Sequence, residues 1–136
     1  MTDAAGDLVI PVKADVDVLT ARQRARVLVS GLRFSTSELT LIATAISQVA
    51  RNIVTYAESG EIVLRIVQRG PRRGLIVIAR DQGPGIADIA RAMEDGYSTS
   101  RSLGLGLPGS RRLMDEFELA SELGKGTEVT MTKWER

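Results

Sequence analysis

The chain has 136 residues, 43% of them hydrophobic, with 18 Lys+Arg against 17 Asp+Glu and a net charge of +1. That length and apolar share fit one compact domain; the near-neutral balance gives no field for phosphate backbones and the 4% aromatic content no stacking platform, which argues against nucleic-acid binding. With no Cys and no His, disulfides, thiol chemistry, Cys or His metal sites, Ser-His hydrolysis and a phospho-histidine relay are excluded, so Asp, Glu, Asn, Lys and Arg must carry the chemistry.

Residues 1–7 are small and polar with no basic region followed by an apolar one, and no apolar run approaches membrane-spanning length. The expected setting is therefore the cytoplasm, away from membranes. No repeat or low-complexity stretch divides residues 1–136, which are expected to form a single domain. Residues 8–12 form a short apolar run containing Pro11, which suits an edge strand. Val18, Ala21, Ala25, Leu28 and Leu32 follow at helical spacing, with Asp15 or Asp17 as the cap. A second helix is marked by Ser35 and Glu38 as a capping box, and its apolar stripe runs through Leu39, Ile42, Ile46, Val49 and Ile53 toward Tyr56.

Residues 61–68 and 75–79 are β-branched runs joined by the basic turn 69–74, which reads as a hairpin with a solvated loop. The Gly- and Ser-rich stretch 81–103 holds at most one short helix, around 86–93, and a connection of that length points to a lid or binding loop. A third helix is expected over 107–116, with Pro108 in its first turn, then strands 117–123 and 127–134 around the turn 124–126. The order implies an α+β fold: a two-layer α/β sandwich with one mixed, mainly antiparallel sheet and its helices on one face.

Asp81 stands at a strand end and is followed by Gly83 and Gly85, which bracket Pro84. Glycines let backbone approach a planar or anionic ligand, and the carboxylate could accept a hydrogen bond from an exocyclic amine such as that of adenine. A plain Asp-containing turn is the alternative. Gly104, Gly106 and Gly109 formally match a dinucleotide fingerprint, but they follow a polar loop late in the chain where that fingerprint needs a βαβ unit. Their physical content remains: glycines opening a helix whose free N–H groups favour a phosphate, with Arg101 or Lys125 as possible cationic helpers. Gln48 and Asn52, four apart, stack on one face of the second helix beside its apolar stripe. They are either exposed amides or the lining of a cleft, where an Asn oxygen would suit Mg²⁺.

Together, Gln48 and Asn52, Asp81 with Gly83 and Gly85, Gly104 to Gly106, and Gly126 with Thr127 resemble, in order and spacing, the ATP-binding boxes of the GHKL superfamily. The segments 44–53, 94–100, 106–109 and 112–117 are similar to the RsbT-type switch kinases of the bacterial stressosome. The resemblance implies a Bergerat-type sandwich that binds Mg·ATP and phosphorylates Ser or Thr on STAS-domain partners. In that family the released kinase activates a metal-dependent phosphatase in a partner-switching stress response. Carried over, Asp81 binds the adenine amine, Gly83 and Gly85 shape the adenine pocket, and Asn52 holds Mg²⁺. Gly104, Leu105 and Gly106 cradle the phosphates, with Arg101 as their cationic helper, and Thr127 backs the adenine.

One position departs from the pattern: the family has Glu where this chain has Gln48. An amide can orient a hydroxyl through its oxygen but cannot take its proton as a general base. Two further readings therefore stand beside the kinase: a silenced ATP-binding module that switches partners, and an anti-sigma factor that grips a sigma factor directly.

Overall fold

The computed structural model describes residues 7–57, 59–82, 113–122 and 126–135. Its elements are β1 (Leu8–Val12), α1 (Asp15–Leu28), α2 (Thr36–Asn52), a single π-helical turn (Ile53–Ala57), β2 (Gly60–Arg69), β3 (Arg72–Asp81), β4 (Glu116–Glu122) and β5 (Gly126–Trp134). The five strands form one sheet in the order β1-β2-β3-β5-β4, and each neighbouring pair is antiparallel. Residues alternate between the two faces of a strand. Ile10 and Val12, Ile62 and Leu64, Leu75, Val77 and Ala79, and Val129 and Met131 therefore share one face and enter a common core with the helices. Ile46, Val49 and Ile53 supply the helical side of that core and are 1% exposed or less. Burying each such side chain contributes about 1.5–3 kcal/mol, so the stripe of α2 is the main anchor of the helical layer.

The capping box of α2 forms as read from the sequence. Ser35 Oγ accepts from the Glu38 N–H at 3.1 Å, and the Glu38 carboxylate accepts from the Ser35 N–H at 3.0 Å. Helix α1 differs from expectation, since its N-cap is Ala14, which has no capping oxygen. Asp17 instead reaches back from the first turn and accepts from the N–H groups of Lys13 and Ala14 at 2.8 and 3.0 Å. These two bonds, together with the nearby Lys13 charge, hold the Asp17 carboxyl below its usual range.

The β2–β3 hairpin is tighter than the sequence suggests. Arg69 pairs with Arg72, which leaves Gly70 and Pro71 as the turn, and Gly70 supplies the positive φ of 61° that so short a turn requires. The two arginines are not simply solvated: their guanidinium carbons lie 4.6 and 5.6 Å from the ring centroid of Trp134, at cation–π distance. The third helix also stops earlier than expected. Leu113 is helical, but the Asp115 N–H donates to the Thr132 carbonyl at 2.9 Å and Glu116 already begins β4. The expected short helix at 86–93, residues 83–103 of the expected lid or binding loop, and residues 107–112 of the expected third helix lie outside the described residues.

Three charged ties fix the margins of the sheet. Asp7 receives a two-pronged hydrogen bond from Arg65 at 2.6 and 2.7 Å, which holds its carboxyl below the usual range. Glu135, 7% exposed, accepts from the Arg33 N–H at 2.8 Å and from the Arg73 N–H and Nε at 3.3 Å, with the same effect on its carboxyl. Lys133, also buried, donates from Nζ to the Leu113 carbonyl at 3.1 Å and lies 3.8 Å from Asp115.

Candidate functional site

The register of the sheet builds one row of residues across the strand ends. Gly60 on β2 faces Asp81 on β3, Asp81 faces Thr127 on β5, and Thr127 faces Ser121 on β4. Counting in twos from Val77 and Ala79, Val129 and Met131, and Leu119, this row lies on the helix-facing side of the sheet. Asp81, the last residue of β3, thus presents its carboxylate beyond the apolar core, where a ligand can reach it. Thr127 and Ser121 lie beside it on the neighbouring strands.

Gly126 lets the strands close at this point. Its φ is +109°, a conformation that L side chains rarely adopt, and a Cβ there would collide with the Asp81 carbonyl. Gly60 permits a second close approach: a Cβ built on it would lie 2.9 Å from Ile53 Cγ2 and 3.0 Å from Asp81 Cβ. Ile53 directly follows Asn52 at the end of α2, so the helix carrying the two amides is packed down beside the Asp81 row. On β4, Ser121 Oγ donates to the Gly126 carbonyl at 3.0 Å and lies 3.0 Å from Thr127 Oγ1.

These strand ends border a cleft of about 720 Å³. Asp81, Ser121 and Thr127 line it from the helix-facing side, and Glu61, Arg80 and Glu128 from the other. Arg80 pairs with Glu61 at 2.5 Å, so its charge is partly neutralised. Lys13 adds a cation at the rim.

The structure therefore brings two of the sequence-predicted residues, Asp81 and Thr127, into one row. Gln48 and Asn52 are both half-buried on α2, four residues apart, and neither is an exposed amide, but neither lines the cleft. Gly83, Gly85, Arg101, Gly104, Leu105, Gly106 and the helper Lys125 lie outside the described residues. Ser121 is absent from the sequence-based candidates, because a lone Ser in an alternating strand carries no signal of its own. Its distance of six residues from Thr127 across a hairpin was the clue. The residues present fit a purine nucleotide: a carboxylate and a hydroxyl stand side by side for a base edge, and a half-buried Asn near a helix end offers the kind of hard oxygen that Mg²⁺ takes alongside phosphate and water.

A family model described as histidine kinase-, DNA gyrase B- and HSP90-like ATPase matches residues 37–136. The chain belongs to this ATPase family. Within it, the chain is 49% identical to the serine/threonine-protein kinase RsbT of Bacillus subtilis over 93% of this chain and 96% of that protein. It is 33% identical to an anti-sigma F factor of Clostridium kluyveri, covering 83% of this chain and 82% of that one. The fold matches the RsbU and RsbW domains of a Mycobacterium tuberculosis protein with a TM-score of 0.61 at 20% identity, over 96% of this chain and 33% of that chain. A histidine kinase domain from Erythrobacter litoralis matches with a TM-score of 0.50 at 19% identity, over 88% of this chain and 59% of that one. The antiparallel sheet with helices on one face is thus the α+β sandwich of this family, as the sequence implied.

Proposed function

We propose that the chain is an ATP-dependent serine/threonine protein kinase that acts on STAS-domain proteins and exchanges partners with a metal-dependent phosphatase in a stress response. The observation that carries this reading is the 49% identity to a serine/threonine kinase over nearly all of both chains. The Asp81–Thr127 row supports it, being built to accept hydrogen bonds from an adenine edge. The family match supports ATP as the nucleotide. Mg²⁺ would neutralise charge on the phosphates. Asn52 would present its amide oxygen to the ion, and Gln48, one turn earlier, would orient the hydroxyl of the substrate protein. Phosphoryl transfer rests mainly on positioning and charge stabilisation, which is why an amide at position 48 is compatible with slow turnover. The whole chain acts as one domain. The setting proposed is the cytoplasm; among the described residues no helix is long and apolar enough to cross a membrane.

Gln48 itself favours a second reading, an ATP-binding module that switches partners without transferring phosphate. The identity to anti-sigma F factors adds a variant in which a sigma factor is gripped directly. Transfer from labelled Mg·ATP to a STAS-domain protein encoded beside this gene separates them. Phosphorylated STAS protein establishes the kinase. ATP binding without transfer, with a sigma factor co-purifying in place of a STAS protein, moves the assignment to the second reading.

A further inference from the structure

The hydroxyl pair at the end of β4 and β5 has a fixed proton direction. Ser121 Oγ lies 3.0 Å from the Gly126 carbonyl oxygen, which has no proton to give, so that bond uses the one proton of Ser121. Ser121 Oγ is also 3.0 Å from Thr127 Oγ1, and with the Ser121 proton committed, this second bond must use the proton of Thr127. Thr127 is thereby left with lone pairs alone for any ligand. Asp81, directly opposite Thr127 in the register, likewise accepts and does not donate when ionised. Both groups line the same cleft.

We propose that Ser121 is a positioning residue that sets base selectivity: it holds the Thr127 hydroxyl as an acceptor, so that the row Asp81–Thr127 favours a 6-aminopurine over a 6-oxopurine. This deepens the ATP reading above and rests on it. A 6-amino group meets acceptors with donors, whereas a 6-oxo group sets acceptor against acceptor and leaves a desolvated polar group unpaired. The bond to Gly126 anchors the arrangement, because Gly126 sits at a backbone conformation closed against the Asp81 carbonyl and cannot drift without opening the strand pair. Without Ser121, the Thr127 hydroxyl is free to rotate and offer its proton to an oxo group.

The test compares ATP with inosine triphosphate, which has the same sugar and phosphates but a 6-oxo base, by calorimetry on the full chain. The unaltered protein is expected to prefer ATP. Ser121→Ala should narrow that preference roughly tenfold, weakening ATP and improving the inosine nucleotide. Ser121→Thr, which keeps a hydroxyl, should restore it. In a Thr127→Val background, Ser121→Ala should leave the ratio unmoved, since the hydroxyl it orients is gone. Equal losses for both nucleotides in Ser121→Ala, or an unchanged ratio, would mean a merely structural hydroxyl and would overturn the inference while leaving the ATP reading intact. Failure of the unaltered protein to bind ATP overturns both.

Discussion

The indole of Trp134 occupies the space where a side chain at position 74 would sit: a Cβ built on Gly74 would lie 2.7 Å from the ring carbon Cε3. The two residues are register partners on β3 and β5, and Gly74 is what lets the ring lie against the neighbouring strand. Arg69 and Arg72 cover the ring, while its Nε1–H donates to Glu116 at 2.8 Å. Gly74→Ala should therefore overpack the site and destabilise the fold by about 1–3 kcal/mol. Trp134 is the one tryptophan in the chain, so its fluorescence reports the disturbance directly. A urea midpoint and emission maximum identical to those of the unaltered protein would contradict this packing account.

Asp81→Asn tests the adenine contact. The substitution keeps the shape but replaces one acceptor with a donor and removes the charge from a hydrogen bond to the base. Bonds of this kind contribute about 1.5–3 kcal/mol, so ATP affinity should fall by roughly 10- to 150-fold with little change in folding stability. Matching ATP affinities in calorimetry would remove Asp81 from the site.

Gln48→Glu tests the position where the family carries its acid. A general base contributes about 10²- to 10⁴-fold, so transfer to a STAS-domain protein should accelerate within that range while Mg·ATP affinity stays nearly constant. An unchanged rate would show that the side chain at position 48 does not face the attacking hydroxyl.

The acid limb of the stability curve should depend on Asp7 and Glu135. Both carboxyls are held below their ordinary range, Asp7 chiefly by the Arg65 hydrogen bond and Glu135 chiefly by the Arg33 N–H. A carboxyl with a lowered folded-state pKa contributes fully above its ordinary value of about 4 and loses that contribution as the pH falls through the lowered one. Stability should thus drop steeply below about pH 4. Asp7→Asn should lower the plateau near neutral pH and flatten the drop. Parallel curves for the two proteins would show that the tie contributes nothing.

Local signals explain which parts were legible from sequence. The capping box of Ser35 and Glu38 lies within four consecutive residues, so it could be read at once. Asp81 could be placed at a strand end because a β-branched run stops there at glycines. The cap of α1 stays open in the sequence between Asp15 and Asp17, because a carboxylate can serve a helix start from N-cap or from the first turn, and composition does not distinguish the two; the structure gives the role to Asp17. The arginines of the β2–β3 turn looked solvated because their partner, Trp134, is more than sixty residues away in the sequence. Glu135 and Arg33 meet across 102 residues. Contacts of that range are products of topology, which no short window of sequence contains.

The strand order has a consequence for how the protein comes into being. β5 is last of the described strands along the chain yet lies inside the sheet, between β3 and β4, and it brings Thr127 to Asp81. Synthesis runs from the N-terminus, so β1, β2 and β3 can leave the ribosome and pair while one edge of β3 still awaits its neighbour. An unfinished chain therefore exposes the unpaired N–H and C=O groups along one edge of β3 and carries Asp81 without Thr127 beside it. Asp81 and Thr127 become neighbours only when the segment through Glu135 emerges and β5 pairs with β3.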